Sequence, residues 1–410
     1  MKYENDLKSI FIKNKSNIAS VIVFVKVGAV DENLSQAGLS HFLEHLMFKG
    51  SKNNPSNSMS KKIENMGGEI NAATSKEFTM YYINIQKNYI IESIKILADA
   101  LENPIFPKKE IDIERKVVIE EIQRYFDNPM SVLYEQFYKT VYSGCPLKNT
   151  VIGSSQVIKN VSRDEIYKYY KTHYTPEKML IVISGAFDDL KISKIIHETF
   201  GKFKKGSLMT INNKLFNEDI CVAKNLIKYK KTELGYMITG FLCPNIKEDD
   251  IYIATLVVNI LGGNKFSRLY RSLYEEKHFV YEIESLFEVF NDYGNVNIVS
   301  IFDPSNMENV KMEIAKQIEY IISYGIMEKE LNVSKLSTKI DFLLSLETSF
   351  GKGYTHGYWH FMRNPEFIKK YIKKIENIRI DDIVFFLKKY YSPKMILNIA
   401  LLPKIKNKIR

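Results

Sequence analysis

The chain has 410 residues, of which 45% are hydrophobic, 12% aromatic and 26% charged; this excludes wholesale disorder and predicts two or three domains rather than one. The formal net charge is +10, yet only 8 of the 58 basic residues are Arg and the Lys are interleaved with Asp and Glu, so a solvated Lys-rich surface is expected and a nucleic-acid partner is not. No apolar run nears the roughly 18–20 residues that span a bilayer, the opening MKYENDLKSIFIKNK holds no apolar signal core, and Cys145, Cys221 and Cys243 are too few and scattered for a disulfide scaffold, so a cytoplasmic chain without a membrane span is expected.

In chain order, the first predicted element is a buried strand at Ala19–Val27. Helices follow at Gly38–Phe48 and Ser58–Met66, then strands within Glu69–Gln86 and helices at Tyr89–Leu101 and Lys108–Tyr125. From Val161, VSRDEIYKYYKTHYTPEKMLIVISG gives an amphipathic helix, a Tyr-Thr-Pro turn and an apolar strand. The same succession returns in IRIDDIVFFLKKYYSPKMILNIALL from Ile378. At a constant offset of 217, Asp164 matches Asp381, Ile166 matches Ile383, Tyr174 matches Tyr391 and Pro176 matches Pro393. KKEIDIERK from Lys108 has a counterpart in EKELNVSKL from Glu328, and both open a long helical stretch. An internal duplication is therefore expected: residues 1–205, a polar linker at 206–224, and residues 225–410. Strands grouped apart from helices make each copy α+β. A cleft between paired domains is a natural place for a site.

The helix GLSHFLEHLMFKG places His41, Glu44 and His45 at i, i+3 and i+4, within one helical face. Two imidazoles at that spacing can bind one metal while the carboxylate reaches a water beside it; this is HxxEH, the inverted order of the HExxH zinc helix. The plain alternative is a pair of satisfied, half-buried histidines, but with 7 His in the chain the pattern is rare by chance. A catalytic zinc normally has three protein ligands and one open position. The helix IDIERKVVIEEIQRYF offers the third. Glu114 and Glu121, seven apart, share a face, whereas Glu120 points about 100° away; spacing alone leaves Glu120 and Glu121 nearly even. His356 and His360 are also i, i+4, but no carboxylate lies between them, and Tyr358 and Trp359 predict packing instead. GGNKFSR at 262–268 lacks the GK[ST] ending of a phosphate loop, so nucleotide binding is not expected.

HFLEH at 41–45, followed at this distance by ERKVVIEEI, resembles the pitrilysin (M16) family of inverzincin zinc metallopeptidases. The length, in two similar halves, resembles its mitochondrial-processing-peptidase-like (M16B) branch. The likeness extends over essentially the whole chain, through GGEINAATSKEFTMYY at 67–82 and LGGNKFSRLYRSLYEEKHFVYEI at 261–283. It implies a zinc-dependent endopeptidase acting on extended or unfolded peptides, built as a two-domain clamshell and working as a homodimer or with a related subunit. By the same resemblance, His41, His45 and Glu121 ligate zinc, Glu114 orients a ligand imidazole, and Glu44 is the general base. Asn71 and Ala72, on an edge strand, would pair with the substrate backbone near the scissile bond. Laid over GLSHFLEHLMFKG, the helix IYIATLVVNILGG puts Ala254, Val257 and Val258 where His41, Glu44 and His45 stand. The second copy is therefore expected to complete the cleft without chemistry of its own. Active relatives carry an Arg seven residues before a Tyr, and the pair contacts substrate. Tyr281 matches the Tyr, but Tyr274 occupies the Arg position. Tyr281 is thus expected to donate to the developing oxyanion, with Arg268 a candidate for the missing charge. The alternative function is a non-catalytic partner or core subunit of the same family; the intact His41, Glu44, His45 and Glu121 argue against it.

Overall fold

The computed structural model describes residues 1–56, 58–206, 224–362, 366–392 and 394–404. Nearly all of the linker expected at 206–224, together with Cys221 and Pro393, lies outside them. The first half runs β1 (Lys8–Lys13), β2 (Ile18–Val25), α1 (Leu39–Met47), α2 (Ser58–Asn65), β3 (Glu69–Thr74), β4 (Thr79–Gln86), α3 (Ile90–Glu102) and α4 (Lys108–Asp127). It continues with α5 (Pro129–Val141), α6 (Ser155–Asn160), α7 (Arg163–His173), β5 (Met179–Gly185) and α8 (Asp189–Glu198). The second half begins with β6 (Lys224–Lys230), β7 (Gly235–Cys243), α9 (Ile251–Leu261), β8 (Val280–Val289), β9 (Gly294–Phe302) and α10 (Met307–Tyr324). It ends with α11 (Glu328–Ser345), α12 (Ser349–Met362), α13 (Glu366–Asn377), α14 (Ile380–Tyr390) and β10 (Leu397–Pro403).

Each half contributes one five-stranded sheet, and the orders correspond strand for strand: β1-β5-β2-β4-β3 and β6-β10-β7-β9-β8. In both, the first strand pairs in parallel with the last, and the remaining pairs are antiparallel. The protein is thus two similar α+β domains, as the repeat predicts. Interior strands carry the β-branched apolar runs. IASVIVFV of β2 is buried from Ala19 to Val25, because both sheet faces are covered there. β1 was not anticipated. It is short and Lys-flanked, and its parallel partner β5 lies far along the chain, so no local pattern marks it.

The covering helices do not follow the halves. One compact unit comprises Met1–Tyr125, the described part of Cys145–Phe216, and Ser345–Phe361. The other comprises Phe126–Gly144 and the described parts of Asn217–Leu344 and Met362–Arg410. Within the first unit, α12 lies on the first sheet, with Phe350, Tyr354, Tyr358 and Phe361 against Ile22, Phe24, Met80, Leu180 and Val182. Gly357 permits the approach: a Cβ there would stand 2.6 Å from the Phe24 ring and 2.8 Å from Val182. Within the second unit, α5 packs on β7 and β10. Asn128 starts α5 by accepting from the Met130 and Ser131 N–H groups, and Pro129 holds the first helical position.

Candidate metal centre

The site is built on α1, α4 and β3, and its residues all lie within the first unit. α1 follows Gly38, whose φ of 97° is left-handed and suits glycine. The buried Glu32 fixes its N-terminus: one carboxylate oxygen accepts from Gly38 N–H and the other from Ser40 N–H, both at 2.7 Å. A carboxylate at a helix N-terminus satisfies orphan donors and complements the macrodipole. Burial nevertheless pushes the Glu32 carboxyl up to about 7, against the lowering effect of these hydrogen bonds.

α1 buries Phe42, Leu43, Leu46 and Met47 and turns His41, Glu44 and His45 toward α4. The structure brings His41, His45 and Glu121 together, one ligating atom from each lying within 4.8 Å of the others. Glu121 Oε2 is 3.8 Å from His41 Nε2 and 3.5 Å from His45 Nε2. Glu120 is exposed and outside this group. Glu114, one face-repeat earlier on α4, is buried, with Oε2 3.2 Å from His45 Nδ1 and Oε1 2.7 Å from Lys49 Nζ. Glu114 thus stands on the Nδ1 side of the His45 ring, and Glu121 on the Nε2 side.

The donor set suits a metal ion. Burial, with a smaller contribution from His45, lowers His41 to about 4, and a neutral imidazole is the form that coordinates. Among the described residues His41 Nδ1 is buried without a hydrogen-bond partner. Glu44, Glu114 and Glu121 gather here with the Lys49 ammonium on Glu114, and a dication would offset the remaining negative charge. Two nitrogens and one carboxylate oxygen are borderline ligands that match zinc.

Glu44 is raised from the ordinary carboxylate range, chiefly by burial, with the Thr74 hydroxyl acting the other way. Thr74 Oγ is 2.5 Å from Glu44 Oε2. Beside it, a cleft of about 210 Å³ is lined by Glu44, His45, Phe48, Lys49, Asn71 and Ala72, among others. Asn71 and Ala72 pair with Tyr82 and Tyr81 of β4, and among the described strands β3 is the edge of the sheet; the Ala72 N–H donates to Asn71 Oδ1 at 2.8 Å.

The second-half candidates belong to the second unit. Tyr281 is 59% exposed, at a register shift near the start of β8. Arg268 engages Glu330 through Nε at 2.6 Å and Nη2 at 2.8 Å, and its guanidinium lies 5.0 Å from the Tyr320 ring centroid. Tyr274 stacks on Tyr270 in a π-helical stretch, Tyr270–Glu276. Ala254, Val257 and Val258 are buried in α9, the helix that follows β7 as α1 follows β2. Thr74, Lys49 and Glu32 escaped the sequence argument. Thr74 had a signal: strand alternation puts it on the same side as Ala72. Lys49 and Glu32 flank the metal helix without a motif of their own.

Comparisons with known proteins find relatives over most of the chain. Residues 9–155 match the model of the family described as insulinase (peptidase family M16), and residues 160–337 match that of the peptidase M16 inactive domain. A Bacillus subtilis protein named uncharacterized zinc protease YmxG is 28% identical over 84% of this chain and 83% of its own length. A Rickettsia felis protein named uncharacterized zinc protease is 28% identical over 95% of this chain and 94% of its own. Among solved structures, a protease from Helicobacter pylori superposes with a TM-score of 0.94 at 24% identity, over 98% of both chains. The fold is shared also with a putative M16-like peptidase from Alicyclobacillus acidocaldarius, with a TM-score of 0.85 at 17% identity over 98% of this chain and 97% of that one.

Proposed function

Because this chain belongs to the M16 peptidase family, with an insulinase-type first part and an inactive-type second part, we propose that it is a zinc-dependent endopeptidase cleaving extended or unfolded peptides. The observation that carries the proposal is the convergence of His41, His45 and Glu121 with Glu44 beside the edge strand β3. Zinc held by these three side chains supplies Lewis acidity for a scissile carbonyl and an attacking water. Glu44 would remove the proton from that water and return it to the leaving amine, as a carboxylate within hydrogen-bond reach can do. Glu114, held by Lys49, keeps the His45 ring oriented. A peptide adding to β3 gains main-chain hydrogen bonds along Asn71 and Ala72, which demands free backbone and so favours unfolded substrates. Tyr281 supplies a hydroxyl to the oxyanion, and Arg268 would serve substrate only by loosening its pair with Glu330. The domain bounds of 1–205 and 225–410, the processing-peptidase-like branch and a dimeric state belong to the same proposal.

The test is metal analysis joined to cleavage of a random-coil peptide library by the purified chain. One zinc per chain and chelator-sensitive cleavage are expected. Full activity after complete metal removal would end this reading, and so would degradation of a stably folded, linker-free domain as fast as of a casein-like chain.

A further inference from the structure

Glu44 has one bound oxygen and one open one. Its Oε2 accepts from the Thr74 hydroxyl at 2.5 Å, and the Thr74 main-chain N–H makes a weaker contact with the same carboxylate. No other side chain hydrogen-bonds Glu44 among the described residues, while the carboxylate lines the cleft beside His45 and Ala72. A glutamate's terminal torsion is broad when nothing holds it, so the contacts from Thr74, the hydroxyl foremost, decide where the second oxygen points.

Thr74 is itself held firmly. It is the last residue of β3 and pairs with Thr79 of β4. The next turn is closed by Ser75 N–H to Phe78 O at 2.8 Å and Phe78 N–H to Ser75 Oγ at 3.1 Å. Among the described strands β3 pairs with β4 alone, so the strand that ends at Thr74 is also the edge strand of its sheet.

We propose that Thr74 is a positioning residue, through which the edge strand β3 orients the carboxylate of Glu44 toward the reacting water; this rests on the peptidase reading above. The same short strand then both receives the substrate backbone and aims the base. Residue Thr74 links the two tasks without itself touching the reacting atoms. Strand addition holds the scissile carbonyl in register with β3, and Glu44 is in register with β3 through Thr74. Reactant and base therefore share one frame, which is the geometric condition for fast proton transfer.

The decisive variant is Thr74→Val, which keeps the β-branched shape favoured in strands but removes the hydroxyl. Zinc content, thermal midpoint and the affinity for a non-cleavable peptide should match the wild type. The value of kcat should fall about 10- to 100-fold, the scale on which misplacement of a catalytic group acts, with KM changed by less than about twofold. Thr74→Ser should restore kcat to within about threefold, since it returns the donor. A Thr74→Val enzyme with wild-type kcat, a loss confined to KM or to peptide affinity, or a Thr74→Ser enzyme as slow as the valine variant would each overturn the assignment. A zinc-loaded wild type that cuts no peptide removes the peptidase reading and this proposal with it; an active wild type equalled by Thr74→Val removes this proposal alone.

Discussion

Glu120 and Glu121 differ by one position, and helical geometry turns that step into a change of face. Spacing left them nearly even; the register of α4 against α1 puts only Glu121 within reach of both imidazoles. Glu121→Gln should therefore lower zinc occupancy sharply, and Glu120→Gln should leave it at the wild-type level, as read by metal analysis after dialysis. Glu44→Gln should retain zinc and lose at least about 100-fold in kcat, because it removes the base and not a ligand. Tyr281→Phe should cost on the order of 100-fold in turnover if the phenol meets the oxyanion; unchanged kinetics with intact zinc content would leave Tyr281 a surface residue. The histidine pair was legible because local spacing alone puts both rings on one helical face. Lys49 and Glu114 act on the site only through contacts between α1 and α4, which no short pattern in the sequence encodes.

At the scale of elements, α7 and α12 show how packing sets measurable thresholds. His173, at the end of α7, is buried against Tyr169, and its Nδ1 has no hydrogen-bond partner among the described residues. Burial lowers it to about 4, with Lys178 adding to the effect. Its folded value is below the unfolded one, so below about pH 6.5 the unfolded chain binds the extra proton and stability falls as the pH drops toward 4. The contribution at the acid end is up to about 3 kcal/mol. His173→Phe should flatten this dependence, which urea titrations at pH 5 and pH 8 would measure. On α12, Gly357→Val would drive methyl groups into Phe24 and Val182; a loss of about 1–3 kcal/mol is expected from overpacking, with the zinc ligands untouched. The aromatic pattern of α12 announced packing, yet its partner sheet could not be named from sequence, because the matching surface is some 160 residues or more away along the chain.

For the whole molecule, the duplication was legible and the exchange of helices was not. The repeat is carried by local succession, helix then Tyr-Thr/Ser-Pro turn then strand, and the two sheets reproduce it in identical order. Which sheet a helix covers depends on apolar faces that look alike in both halves. Residues 1–205 expressed alone should retain strand content but leave the Ile22, Phe24 and Val182 face without α12. Such a fragment should bind a hydrophobic dye and show a broad thermal transition, on the order of 5 kcal/mol less stable than the same sheet in the full chain. Co-expression with residues 225–410 should restore a sharp one. A fragment 1–205 as stable as the intact chain would show that α12 is dispensable.

The placement of α12 also has a consequence in time. On a ribosome, β5 completes the first sheet at Gly185, but the residues of α12 that cover that sheet run on to Phe361. At ordinary synthesis rates the intervening stretch takes roughly 10–35 s to emerge. During that interval Ile22, Phe24, Leu180 and Val182 face water, while α5 has been made and waits for β7 and β10. The nascent chain thus carries two unfinished surfaces at once, each awaiting a segment from the other side of the sequence. Chaperone engagement on stalled chains should rise once residue 185 has cleared the exit tunnel and fall after residue 361 has done so.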